Sequence, residues 1–539
     1  MGKKAWYAIV VLGLLVSPRL VESGGPHTDL KPKFQTSDRC LACHNGMVTP
    51  TGEDISIGFD WRASIMGNSS RDPYWQGSVR RESIDHPESV AAIEDECSVC
   101  HMPITRFEAK LEGQKGQIFS HLPFDQDKKD NAKAEDGVSC SVCHQIAKDK
   151  LGTAESYNGG FVINPPASPN EHPEYGPFSV DAGRQRVMHT STGGFRPTED
   201  AHIRDSALCG TCHTLKTRAL GLDGKDVGSL PEQMPYQEWL HSDYTNRSSC
   251  QSCHMPEVHG QVPITAMLGV PREGMHQHTF VAANFLMLRM LNAYRKDLSV
   301  RALPTELTAQ AERTVAFLQS QSARISIPKV ELVSDRLQVQ VLVQNLTGHK
   351  MPTAYPSRRA WLHFVVRDAR NNKVFESGAL HADGSIEGND NDADPAKFEP
   401  HYREISSSDQ VQIYEPILKD SAGHVTTGLL TAVGYLKDNR LLPSGFKKES
   451  AEPDIAVVGD AAEDPNFTDA GSLVQYSVST GNAQGPFHME VELWYQPIGF
   501  RWAHNLGTYK AEEPQRFVGY YESMASASAV LLTRAEATH

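Results

Sequence analysis

Ten cysteines fall into five pairs of identical spacing, each Cys-x-x-Cys pair followed at once by a histidine. The motifs are Cys40, Cys43, His44; Cys97, Cys100, His101; Cys140, Cys143, His144; Cys209, Cys212, His213; and Cys250, Cys253, His254. No cysteine is left over. Two thiols separated by two residues can reach the two vinyl groups on one edge of a porphyrin, and the next side chain then presents an imidazole to the iron. Histidine makes up 23 of 539 residues, so five chance placements after a cysteine pair have a probability on the order of 10⁻⁷. Five short-range disulfides would not need the histidines. Zinc ribbons take two pairs per metal, so one pair would remain unused. A thioredoxin-like site needs a single pair in a βαβ context. The ten cysteines are therefore read as covalent attachment points for five haem c groups, and His44, His101, His144, His213 and His254 as their proximal iron ligands.

The N-terminus agrees with this, because haem c is attached outside the bacterial cytoplasm. Lys3 and Lys4 precede an apolar run from Ala5 to Val16, and Pro18 and Arg19 end it. Such a run is too short to span a bilayer with ease and reads as a signal peptide over residues 1–23, with Val21 and Ser23 before the cleavage point. No later stretch approaches membrane-spanning length. The expectation is an exported periplasmic or extracellular protein with no membrane span after signal removal. Its formal net charge of −14, to which haem propionates would add, excludes nucleic acid as a partner and fits docking to redox proteins.

The five motifs lie between residues 40 and 254. So little chain cannot build a side-chain core around each cofactor, so the cofactors themselves are expected to form the core. Short helices and Gly/Pro/Asn-rich loops are expected over a haem domain at 24–280. Two helices follow in a connector at 281–324, with apolar faces Phe285, Leu286, Leu288, Leu291 and Leu307, Ala311, Val315, Leu318. Alternating runs then begin: Leu337-Gln-Val-Gln-Val-Leu-Val, Trp361-Leu-His-Phe-Val-Val-Arg and Met489-Glu-Val-Glu-Leu. They predict a β-sandwich of immunoglobulin-like architecture over 325–505, and 506–539 is expected to close the chain as a helical tail. The fold class is α+β. Asp390, Asp392 and Asp394 alternate but lack the Gly and Glu of a calcium loop, and read as a solvated acidic turn. No Gly-x-Ser-x-Gly nucleophile motif is present.

The sixth iron ligand decides function: a second His gives a low-potential carrier, Met a higher potential, and an open position lets a substrate bind. His189, His276, His278 and His349 are the distal candidates, with His121 and His202 also inside the haem segment. Met66 joins them through a short repeat. Trp61-x-x-Ser64-x-Met66 matches Trp239-x-x-Ser242-x-Tyr244, which puts Tyr244 in the equivalent place.

The phrases Glu238-Trp239 through Cys250-Gln-Ser-Cys-His-Met-Pro256, and Ala207-Leu-Cys-Gly-Thr-Cys-His-Thr214, resemble the multihaem cytochromes of the cytochrome c-552/c-554 group. Gly348-His-Lys-Met-Pro-Thr-Ala-Tyr-Pro-Ser-Arg-Arg-Ala-Trp361 is similar to the β-domain of bacterial multihaem proteins. The resemblance implies a multihaem fold over most of the chain after residue 35. In related multihaem enzymes a Trp-x-x-Ser-x-His phrase supplies an axial histidine; Met66 and Tyr244 stand at that position here. The wider group holds both plain carriers and reductases of nitrite-like or hydroxylamine-like compounds.

The leading expectation is electron transfer through five haems between redox partner proteins, other cytochromes or a quinol-linked membrane complex. The alternative is a haem-dependent reductase of a small nitrogen or sulfur compound at one open iron. Tyr244 is the first candidate proton donor there. A third is assembly into an oligomer or filament through the β-domain. Replacing Cys140 and Cys143 together by alanine is expected to lower the haem content by one per chain, measured by pyridine haemochrome assay and intact mass.

Overall fold

The structure, a computed structural model, describes residues 1–2, 30–125, 131–221 and 224–539. The signal segment, apart from its first two residues, lies outside them. Among the described residues no helix is long and apolar enough to cross a membrane.

The haem-motif region is built as the sequence predicts, from short helices joined by loops. The motifs at Cys97, Cys140, Cys209 and Cys250 each lie on or at the start of a helical turn, in helices Val90–His101, Cys140–Cys143, Ser206–Gly210 and Cys250–His254. Helix Pro73–Asp85 begins where Pro73 needs no backbone donor, and Asp72 caps it by accepting from the amides of Tyr74 and Trp75. Among the described residues, two small sheets interrupt this region. His172–Gly176 pairs in parallel with Phe195–Glu199, and Leu215–Leu220 forms a hairpin with Asp226–Gln233. The connector helices are Phe285–Ala293 and Pro304–Gln321. Their apolar faces join the main core: Phe285, Leu286, Leu291, Leu307 and Leu318 are buried there with the strands that follow.

The C-terminal half is a sandwich of two five-stranded sheets. One centres on Arg336–Asn345, flanked by Ala323–Val333 and Gly471–Ser479. The other centres on Arg359–Arg367 and His488–Gln496. The alternating residues Val339, Val341 and Val343 face Phe364, Val366, Met489 and Val491 within one core. Phe364 and Tyr476 bring the two sheets to a ring separation of 4.2 Å. A third sheet, of three strands over 416–438, leans on the Leu215–Gln233 hairpin, where Leu230, Leu418 and Ala432 pack together.

Two expectations change. Of the tail read as helical, Glu512–Met524 is a helix, but Val530–Thr538 is a strand paired with His488–Gln496. Its alternation, with Val530 and Leu532 buried, closes the sheet edge, so the β-domain runs to the C-terminus. The acidic turn is not wholly solvated either. Asp392 is buried and accepts two hydrogen bonds from Arg359, at 2.7 and 2.9 Å.

A buried ion network joins the two halves. Glu238 of the haem region accepts the Lys350 amide at 3.1 Å and the Thr353 hydroxyl at 2.5 Å, and pairs with Arg440 at 3.0 Å. Arg440 and Lys350 both bind Asp438, each at 2.7 Å. Burial alone would raise the Asp438 carboxyl, but Arg440 and Lys350 outweigh it and hold it well below the ordinary carboxylate range. A carboxyl depressed on folding adds stability above its unfolded value, about 3.9, that is lost as pH falls further. Asp438→Ala is expected to cost about 3–5 kcal/mol by leaving buried Lys350 without its carboxylate and Arg440 with Glu238 alone. Denaturant unfolding should show that loss at neutral pH and a flatter acid limb in the variant.

Candidate haem-binding cavity

Every cysteine and histidine of the five motifs lines one connected cavity of about 1360 Å³. Single small-molecule pockets run to roughly 300–1,000 Å³. The motifs do not follow chain order around it. The Cys40 thiol adjoins Cys140, Cys100 adjoins Cys212, and Cys209 adjoins Cys250, while Cys143 lies near Cys212. The first motif therefore abuts the third, the third lies near the fourth, and the fourth meets both the second and the fifth.

Four of the five motif imidazoles share one device. The Nδ1 atoms of His44, His101, His144 and His254 donate to the carbonyls of Ile264, Ser69, Tyr175 and Val281 at 2.7, 2.9, 2.6 and 2.6 Å. A carbonyl can only accept, so the proton sits on Nδ1 and Nε2 keeps a free lone pair, the form that binds a metal. Burial keeps these rings neutral. It pushes His101 and His213 down to about 4 and lowers His44, His144 and His254. Trp75 stacks flat on His101, with ring centres 4.3 Å apart.

Three of the four distal histidine candidates are in the same state. His276, His278 and His349 line the cavity, and their Nδ1 atoms donate to the carbonyls of Met255, His276 and Lys350 at 2.5, 3.1 and 2.9 Å. Burial pushes His278 down to about 3 and His349 to about 4. Two of them face motif histidines. His278 lies 6.3 Å from His144 between ring centres, with planes 19° apart. His349 lies 6.3 Å from His254, with planes 11° apart. Two imidazole nitrogens each about 2.0 Å from one metal, with ring centres roughly 1.1 Å behind them, would be about 6.2 Å apart centre to centre. The donor set and spacing fit an iron held between two imidazoles, with a porphyrin in the gap.

His189 is placed differently. Arg184, Val187, Met188 and Ser191 of helix Ala182–Thr192 line the cavity, which is one helical face. His189 lies off it, and its Nε2 donates to the Asn170 carbonyl at 2.7 Å. His202 is likewise engaged, with Nε2 donating to Ile146 O at 2.8 Å and Nδ1 beside Asp200. Met66 lines the cavity.

The repeat holds in three dimensions. Trp61 Nε1 donates to Val138 O and Trp239 Nε1 to Ser248 O, both at 3.0 Å and both two residues before a motif. Ser64 and Ser242 each bond back to the tryptophan carbonyl, at 2.7 and 2.8 Å. The pair braces the third and fifth motifs. Tyr244 lines the cavity but donates its hydroxyl to Leu346 O at 2.6 Å, which props the loop carrying His349. Gly348 lets that loop approach, because a Cβ there would meet the Tyr244 ring at 3.0 Å.

Sequence reasoning misses the carbonyl partners, Trp75 and the Glu232 carboxyl. Glu232 lines the cavity and burial raises it to about 7 against bonds from Thr217 and Gln233. None lies within a motif; Trp75 and Glu232 carry no local signal.

No protein-family model matches this chain, and no curated protein matches it. Among solved structures, the chain is similar to a penta-heme cytochrome c552 from Thermochromatium tepidum, with a TM-score of 0.53 and 15% identity over 94% of this chain and 99% of that one. At that identity the likeness is one of fold, and it extends through both halves of the chain.

Proposed function

We propose that the chain is an exported multihaem c-type cytochrome that carries electrons through five covalently attached haems, in the periplasm or at the cell surface. The observation that carries this reading is the convergence of all five motifs on one cavity, with His144–His278 and His254–His349 paired at the spacing of two axial ligands. Bound haem iron supplies one-electron exchange between ferric and ferrous states. The paired cysteines tether each group and the motif imidazoles orient it. Backbone carbonyls hold the rings of His44, His101, His144 and His254 in the metal-binding tautomer. His278 and His349 would hold the iron opposite His144 and His254, at the third and fifth motifs. His276 and Met66 are the remaining candidates for other positions, and His189 is the least suited because its Nε2 is already bonded.

The order of the motifs supplies a route. With haem bound, the first, third and fourth sites would be neighbours for electron exchange, and the fourth would adjoin the second and the fifth. The exchange is with other redox proteins, and the β-domain completes the fifth site through His349.

A reductase reading is favoured by one observation. Tyr355 and Arg358, on the same β-domain loop as His349, line the cavity, and Arg358 adds to burial and His254 in lowering the affinity of His213 for a proton. An arginine beside a haem can hold a small oxyanion.

Electron paramagnetic resonance separates these readings. His278→Ala and His349→Ala should each convert one low-spin haem to high-spin, whereas His189→Ala should leave the spectrum unchanged. An unaltered low-spin count in the first two variants would sink the assigned pairs. A wild-type high-spin haem whose spectrum shifts on adding nitrite would favour the reductase.

A further inference from the structure

We infer that Arg204 and Arg272 form a carboxylate clamp for the propionates of the haem held by Cys140 and Cys143. The inference rests on the proposed haem content and goes beyond it by assigning residues that hold the group's anionic edge.

Both guanidinium groups sit over the Phe178 ring, with Cζ 5.5 Å (Arg204) and 5.3 Å (Arg272) from its centre. All three residues line the cavity. Two cations converging on one ring repel each other, and a chain of net charge −14 has ample acid to separate or neutralise them. Yet among the described residues neither has a carboxylate partner, and Arg204 makes no hydrogen bond to any of them. Arg272 Nη1 donates to Ser179 O at 2.7 Å, while its Nε is buried without an acceptor. A buried donor left unmatched is costly and points to an acceptor supplied from outside the polypeptide.

The clamp is tied to one haem through both of that haem's paired histidines. Tyr175, whose carbonyl accepts from His144 Nδ1, lies three residues before Phe178. Arg272 lies six residues before His278, which faces His144. The segments that carry the ring and the cation therefore also orient the two imidazoles of the third motif. An arginine fork matches a carboxylate in two parallel hydrogen bonds. The shared ligand chemistry is an oxyanion, and a haem propionate is the source that the cavity itself would bring to this position.

The test uses the full-length haem-loaded protein with haem content verified. Arg204→Gln is the first variant, because Arg204 is exposed and bonds none of the described residues; Arg204→Gln with Arg272→Gln is the second. In a spectroelectrochemical titration at fixed pH and ionic strength, one midpoint potential should fall, further in the double variant, with the other four unchanged. Losing a nearby cation favours the more positive ferric state. The Arg204→Lys, Arg272→Lys variant should recover most of the shift. Unchanged potentials in a fully loaded double variant would overturn the clamp while leaving the haem assignment intact. A shift on adding inorganic phosphate to the wild type, absent from the double variant, would also overturn it and mark a site for free oxyanion. A chain without haem would instead defeat the proposed function.

Discussion

The structure depends on buried neutral imidazoles whose Nδ1 protons are committed to backbone carbonyls. That single hydrogen bond does three things at once. It satisfies a polar group that burial would otherwise penalise, it selects the tautomer, and it aims Nε2 into the cavity. It also explains how the haem-motif region holds its form. Short helices such as Cys140–Cys143 and Cys250–His254 are far below the length at which a helix is stable alone. They are held by distant segments: Tyr175 reaches His144, Val281 reaches His254, and Ile264 reaches His44 across 220 residues of chain.

The β-domain is part of the same construction. Its His349 loop leaves strand Arg336–Asn345 and enters the cavity, where Tyr244 and Glu238 hold it. The ions behind it, Lys350, Asp438 and Arg440, are nearly fully buried. Buried ion pairs are poor sources of stability compared with apolar packing, but breaking one is costly. Here the network gives a definite position to a loop that has to deliver one side chain next to His254. The sandwich core of alternating valines supplies the stability against which that cost is set.

Parts of this design are local and legible in the order of the residues. The motif residues are one example, since covalent chemistry sets their spacing. The connector helices and most strands are another, since their apolar periods of 3.6 and 2 are written along the chain. The tail shows the limit. Val530–Thr538 alternates as a strand should, but the run is short, follows a real helix, and becomes a strand by pairing with His488–Gln496. Asp392 shows the same limit for charge: nothing next to it in the chain marks Arg359, 33 residues away, as its partner.

The amino-acid order alone dictates the number and spacing of the Cys-x-x-Cys-His motifs and the division into a motif-bearing half and a β-rich half, because each follows from residues within a few positions of one another. Which further histidines face a motif imidazole is settled by folding in three dimensions. His189 and His278 are equally eligible by residue type, yet one helical face turns the first toward Asn170 while the loop before helix Phe285–Ala293, held by Gln310 donating to Thr279 O, turns the second toward His144. The order of the motifs around the cavity is likewise a property of the folded chain, since Cys40 meets Cys140 and Cys100 meets Cys212 only after long loops close. Spatial neighbours that far apart leave no periodic trace, so packing alone decides which motifs meet.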